Sequence, residues 1–347
     1  METRLVFPLV MLLGILLESN LVLPTPVSES DHSVLEQASV FETGKFHPVT
    51  SDVRTPSSCL PPRPLLIVRP EEQGTYPVIL FHHGTASWNY WYTDVLKFIS
   101  SHGYIVVAPQ LYRWMLPWLP SPQDELDRAA KVANWLPSGL RCGLPENIEG
   151  DLQNLALAGH SRGGYIAFAL ALGLADVALE VNFSALIGVD PVAGPSKKSH
   201  LKPKILHDES CSFNIPIPVA IIGTGLGNTP VFPLPACAPD GVSHTEMFNE
   251  CRPPCSHFVT KDYGHMDVLN DGIGLVGGVA RAVCKGYSGR GVRRDLMRKT
   301  VGGIFVAFLE AIFKGNYKEY NNILQNPKYF APAKLDPVQN KSEGSSC

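Results

Sequence analysis

The sequence predicts an α/β fold, a mostly parallel central sheet with helices on both faces. Three observations carry that expectation. Short apolar runs of strand length recur between Leu65 and Thr260, each bounded by Pro, Gly or Asp. Longer stretches with apolar residues at helical spacing lie between them, and alternation of strand and helix favours parallel pairing. One run, Leu155–Ala158, leads directly into Gly159-His160-Ser161-Arg162-Gly163 and then into an Ala- and Leu-rich stretch.

Taken in order, Leu65–Val68 is the first strand candidate, ended by Arg69-Pro70, and Val78–Phe81 is the second, bounded by Pro77 and His82-His83-Gly84. Residues 89–102 carry Tyr92, Val95, Leu96 and Ile99 at helical spacing. Ile105–Ala108 is a strand stopped by Pro109. The segment from Tyr112 to Pro120 is apolar, with two Trp and two Pro, and fits neither strand nor long helix. It reads either as a flap that meets an apolar substrate through Trp114, Met115, Leu116 and Trp118, or as a loop packed on the core. Ser121-Pro122-Gln123-Asp124 is a helix start: Ser caps, Pro suits the first position, and Asp favours the dipole. Leu126, Ala129, Ala130, Val132, Ala133 and Leu136 form the buried face of that helix. Further strands are expected at Ala185–Val189, Pro218–Ile222 and His257–Thr260, and a last helix from about Asp295 to Phe313. These elements place the folded domain at residues 46–320, followed by a polar, frayed tail at 321–347.

The N-terminus has a different character. Arg4 precedes an uncharged run from Leu5 to Leu17, the length of a secretory leader's apolar core and short for a membrane span. No A-x-A cleavage site follows, so residues 1–20 are expected to be a signal peptide with cleavage as late as residue 30. Residues 21–45 then form a flexible extension or pro-segment. A chloroplast transit peptide would be rich in Ser and Arg and poor in acids, which this start is not. The expected location is the secretory pathway outside the plastid, with the chloroplast as the alternative. Eight cysteines fit an oxidising compartment, although their pairing cannot be read from spacing. Cys251-Arg-Pro-Pro-Cys255 with His257 invites a zinc site, but no second ligand pair has suitable spacing, and a disulfide-stapled loop is preferred. Asn182-Phe-Ser184 and Asn340-Lys-Ser342 are glycosylation sequons; the first borders a strand and is expected to be poorly accessible. A net charge of −3 leaves no electrostatic footprint for nucleic acid.

The chemistry centres on Ser161. A bare G-x-S-x-G is weak, but strand before and helix after make it a nucleophile elbow, the signature of the α/β-hydrolase fold. The turn is so tight that flanking positions must be nearly free of side chains, which accounts for Gly159 and Gly163. A serine hydroxyl needs a base, and the base needs an acid to fix its tautomer. In this fold they follow in the order Ser, acid, His, each at the carboxyl end of a strand. Ser161, Asp190 and His265 match that order and placement. Asp208 precedes its strand and is set aside, while Asp240, deep in the loop after the Pro218 strand, is held as the alternative acid. His257 begins a strand and lies at the wrong edge. His160 should point away from Ser161, and His82, His83, His102 and His244 read as structural. The oxyanion would be held by backbone amides, that of Arg162 and those of the Gly84-Thr85-Ala86 turn.

Gly-His-Ser161-Arg-Gly-Gly, Val189-Asp190-Pro and Asp-Tyr-Gly-His265-Met-Asp together resemble the plant chlorophyllases, over about residues 40–320. The His-His-Gly-Thr turn and the Tyr112–Pro120 segment fit as well. The resemblance implies hydrolysis of the phytyl ester of chlorophyll to chlorophyllide and phytol by a serine carboxylesterase with the triad Ser161, Asp190 and His265. No cofactor or metal is required, since the magnesium belongs to the substrate. Chlorophyll is then the expected partner, with peripheral membrane contact as a further expectation. The competing readings are a lipase, cutinase or platelet-activating-factor-acetylhydrolase-like esterase, and a catalytically silent pigment- or lipid-binding protein of the same fold.

Overall fold

The computed structural model describes residues 40–53, 59–112, 119–289, 293–344 and 347, which belong to one compact unit. The expected leader, and the extension as far as residue 39, lie outside the described residues. So do Trp114, Met115, Leu116 and Trp118 of the expected flap.

Among the described residues nine strands form one sheet. They are β1 (Pro48–Val53), β2 (Leu65–Pro70), β3 (Gly74–His82), β4 (Ile105–Pro109), β5 (Ile148–His160), β6 (Ala185–Val189), β7 (Val219–Thr224), β8 (Cys255–Thr260) and β9 (Leu335–Lys341). Their order is β1-β2-β4-β3-β5-β6-β7-β8-β9. The six strands from β4 through β8 in that order are parallel, and β1, β2 and β9 are antiparallel edges.

Alternation along each strand divides the core in two. Ile79 and Phe81 of β3, with Val106 and Ala108 of β4, face α1 (Thr93–Ser100) and a long helix, Arg294–Lys314. Val78, Leu80, Ile105 and Val107 face the opposite way, toward α2 (Pro122–Gly139) and α3 (Arg162–Ala171). Because both faces are covered, these strands are continuous apolar runs rather than alternating ones. α2 starts where its sequence says it should: the Ser121 hydroxyl oxygen accepts the Asp124 N–H at 3.0 Å, with Pro122 in the first turn.

Four expectations are corrected. The loose extension gives way before residue 45, because Val40 and Phe41 are buried in the core. The Phe41 ring packs so closely on Gly303 that a Cβ there would collide with it. The C-terminal tail is not frayed. After the long helix come helices at Lys318–Gln325 and Pro327–Phe330, and then β9 pairs with β8. β9 is polar because an edge strand needs backbone partners more than apolar side chains. Its Lys341 ammonium donates to the carbonyls of Phe248, Asn249 and Cys251 at 2.8–3.0 Å, capping the short helix His244–Glu250. The loop at Cys251–Cys255 is not stapled by a disulfide. The bridges are Cys59–Cys142, Cys211–Cys347 and Cys237–Cys284, while Cys251 and Cys255 are buried free thiols. Cys251 closes a helix and Cys255 opens β8, so both are small apolar side chains of the core. Asn182, expected to be poorly accessible, is exposed just before β6.

α2 and α3 are joined by an ion pair. Arg162 Nε donates to Glu125 Oε2 at 2.5 Å, and Glu125 is fully buried. Burial pushes the Glu125 carboxyl up to about 7 even though Arg162 opposes it. The guanidinium satisfies one oxygen, and Oε1 has no partner. A carboxyl whose folded value lies above its unfolded value of 4.5 stabilises the fold fully at low pH. That contribution is lost as pH rises from about 4.5 through about 7. Thermal unfolding of wild type and Glu125→Gln should therefore show the wild type losing about 3 kcal/mol relative to the variant between those limits; parallel stability curves would refute it.

Candidate active site

The turn after β5 is built on close backbone approach. A Cβ at Gly159 would lie 2.2 Å from the Gly163 carbonyl oxygen, and one at Gly163 would lie 2.3 Å from that of His82. With both positions free of side chains, Ser161 adopts φ 57° and ψ −126°, a conformation costly for any residue but glycine. Its N–H donates to the Val189 carbonyl and its own carbonyl accepts from Val192 and Tyr165, so strand, acid loop and helix over-determine the turn. α3 begins at Arg162, whose N–H is among the first-turn donors without a partner inside the helix.

Ser161 Oγ lies 2.8 Å from His265 Nε2, and His265 Nδ1 lies 2.7 Å from Asp190 Oδ2. The carboxylate can only accept, so Nδ1 carries the proton and Nε2 is the acceptor facing the serine hydroxyl. Asp190 is fully buried. Burial alone would raise its carboxyl, but the hydrogen bond and charge of His265, with His244 and Thr224, bring it down to about 2. β7 supplies that support: Thr224 donates its hydroxyl to Oδ2 at 2.6 Å and its N–H to Oδ1 at 3.1 Å. Asp240, the alternative acid, is exposed and holds Asn228 instead.

The expected oxyanion turn sits against the nucleophile, since a Cβ at Gly84 would be 3.0 Å from Ser161 Cβ. One of its three amides is engaged: the Gly84 N–H donates to the Tyr92 hydroxyl oxygen at 3.0 Å, while the Tyr112 hydroxyl donates to the Gly84 carbonyl at 3.4 Å. Side chains that looked incidental in the sequence organise this turn. His83 is fully buried; its Nδ1–H donates to the Gly84 carbonyl at 2.8 Å and its Nε2 accepts from Leu111. Burial lowers it to about 4, so it stays neutral in that tautomer.

Both ring nitrogens of His160 have partners other than Ser161, and the ring does not lie in inert core: its centroid is 4.7 Å from that of His265. Its Nε2–H donates to the backbone carbonyl of His265 at 2.9 Å, so its Nδ1 must accept, and the Tyr92 hydroxyl donates to it at 2.9 Å. A continuous path therefore runs from the Gly84 amide through Tyr92 and His160 to the backbone of His265. Burial holds His160 down at about 3 and pushes Tyr92 up to about 12, so neither charges in ordinary buffers. On the other side of the acid, His244 Nε2 lies 3.8 Å from Asp190 Oδ1, and its Nδ1 bonds His257, which in turn bonds Gln339 of β9. No spacing rule in the sequence could have linked Tyr92, His160, His244 and His257 to the site, because each is joined across strands far apart along the chain.

The arrangement can activate a hydroxyl for attack on a carbonyl. The profile of the chlorophyllase family matches residues 36–342 of this chain. The chain is 45% identical over 314 residues to chlorophyllase type 0 of Chenopodium album, covering 89% of this chain and 88% of that protein. It is 47% identical over 294 residues to the chloroplastic chlorophyllase-1 of Citrus unshiu, covering 84% of each. It is 40% identical over 293 residues to chlorophyllase-2 of Arabidopsis thaliana, covering 80% of this chain and 90% of that protein. On that similarity, spread over nearly the whole folded unit, the chain belongs to the chlorophyllase family.

Proposed function

We propose that this protein is a serine carboxylesterase that hydrolyses the phytyl ester of chlorophyll to chlorophyllide and phytol, with Ser161, His265 and Asp190 as its triad. The observation that carries the reading is the unbroken relay from Ser161 Oγ to Asp190, with both hydrogen bonds below 3 Å and all three side chains buried. Ser161 Oγ attacks the ester carbonyl carbon while His265 Nε2 takes its proton. The oxyanion that forms is held by the Arg162 N–H and by the Thr85 and Ala86 amides of the turn, because the Gly84 N–H is given to Tyr92. His265 then protonates the departing phytol oxygen. Water, deprotonated by the same imidazole, attacks the acyl-enzyme and releases the chlorophyllide carboxyl group. Asp190 stays ionised throughout, which stabilises the imidazolium formed in each step.

Tyr92 and His160 have a positioning role in this scheme. They tie the turn bearing the Thr85 and Ala86 donors to the backbone of the base, so the two halves of the site cannot drift apart.

The reading extends to location. The uncharged Leu5–Leu17 run behind Arg4, with three disulfides in the folded unit, supports entry to the secretory pathway. A fluorescent protein fused behind residues 1–30 should enter the endoplasmic reticulum; import into plastids would overturn that location and leave the chemistry intact.

The reaction is tested by incubating purified protein with chlorophyll a and, separately, with a triacylglycerol. Free phytol and chlorophyllide are expected from the first, with the triacylglycerol cleaved far more slowly. Ser161→Ala should lower turnover about 10⁴-fold or more without loss of fold; retained activity in a correctly folded variant would refute the nucleophile. Tyr92→Phe leaves the Gly84 N–H and His160 Nδ1 without their partner. It should lower kcat about tenfold with KM little changed, whereas a lowered Tm with unaltered kcat would mean a merely structural tyrosine.

A further inference from the structure

Among the described residues, six of the ten large apolar side chains most exposed to solvent lie on segments that follow β3, β7 and β8 at the carboxyl edge of the parallel sheet, the edge that holds Ser161; the other four are Leu60, Tyr317, Tyr329 and Phe330. Phe232 is 97% exposed and Leu234 42%, on the loop after β7. Leu275, Val276 and Val279 are 87%, 45% and 59% exposed on the helix Gly274–Ala282 after β8. Tyr90 is 51% exposed after β3. One exposed leucine is ordinary on any protein; a connected group is not.

These segments are connected. The Cys237–Cys284 disulfide joins the Phe232 loop to the end of the Leu275 helix. At the start of that helix, Asn270 donates its side-chain amide to the Tyr90 carbonyl and its N–H to Trp91. The start of the Phe232 loop also packs against the acid, since a Cβ at Gly227 would lie 2.9 Å from Asp190 Oδ2. The same segments lack charge. Residues 225–239 and 272–280, fifteen and nine residues, contain no Asp, Glu, Lys or Arg, in a chain that is 18% charged. A surface that meets only water has no reason to exclude charge so completely.

We propose that this uncharged apolar rim docks on a lipid bilayer, placing the Ser161 site at the membrane surface to receive its water-insoluble ester. The inference rests on the proposed reaction. A second copy of the chain or another protein seated on the rim would cover the loop that packs against Asp190 and obstruct the site, whereas a bilayer delivers the substrate there. Insertion of apolar side chains, rather than attraction to lipid charge, predicts binding to uncharged lipid that survives high salt.

The test uses the full chain and vesicles of phosphatidylcholine, with and without embedded chlorophyll a. Wild type should float with vesicles in high salt. The triple variant Phe232→Ser, Leu275→Ser and Val279→Ser should lose about tenfold or more of that binding. It should lose a similar factor in kcat/KM on embedded chlorophyll. Its turnover of p-nitrophenyl butyrate, and of chlorophyll dissolved in aqueous acetone, should match wild type, because none of the three touches the triad. Phe232→Trp provides a second readout, a blue shift of tryptophan emission on adding vesicles. Wild type that stays in solution, a triple variant that binds as wild type does, or rim substitutions that instead dissolve a dimer seen by light scattering would each overturn the proposal. Failure of the proposed reaction would be seen separately, as wild type that leaves acetone-dissolved chlorophyll uncleaved.

Discussion

The approach of the chain to itself between Gly159 and Gly163 is the constraint on which the site depends. At each of these glycines a side chain would run into a carbonyl oxygen little more than 2 Å away. Removing both side chains lets β5 turn into α3 within one residue, and Ser161 takes the strain of that turn. Strain of this kind persists only when its surroundings hold it. Here β6 holds it through the Val189 carbonyl and the acid loop holds it through Val192. The nucleophile, the helix amides behind it and the loop carrying Asp190 are thereby placed by one set of backbone contacts.

Around that turn the polar groups divide by charge. Asp190 is ionised and fully buried, and it is compensated from two strands, by Thr224 of β7 and by His265 beyond β8. His83 and His160 are buried and neutral, and each is fixed in one tautomer by the carbonyl to which it donates. Neutral imidazoles suit this position. They bridge backbone groups that would otherwise be buried without partners, and they bring no second positive charge beside the base. The single charged side chain adjacent to the nucleophile in sequence, Arg162, is drawn off the site by Glu125 and the Pro120 carbonyl. Its amide can thus face the reaction while its guanidinium serves the junction of α2 and α3.

The elements legible in the sequence were those whose side chains declare them. The strands at Leu65, Val78, Ile105, Leu155, Ala185 and Val219 are continuous apolar runs because helices cover both faces of the sheet. Ser161 and Asp190 were legible because each abuts the end of such a run, and His265 because it follows the last predicted strand, five residues beyond Thr260. β9 was not legible: Leu335–Lys341 contains Asp, Pro, Gln and Asn, and becomes a strand because β8 offers it an open edge. The cysteines were equally silent. Three bridges span 47 to 136 residues, and the one close pair with a suggestive spacing is the pair left reduced.

By itself, then, the sequence determined the parallel α/β layout, the elbow and the identity of its serine, because local spacing and small residues express those features directly. It also narrowed the acid and base to one Asp with one rival and to one His. Tertiary structure decided the rest. It put Asp190, not Asp240, against His265, drew Tyr92 and His160 into a link between the Gly84 turn and the backbone of His265, and set His244 and His257 behind Asp190. The reason is distance along the chain: these contacts join residues 13 to 105 positions apart, and no local pattern encodes which distant strands will lie side by side.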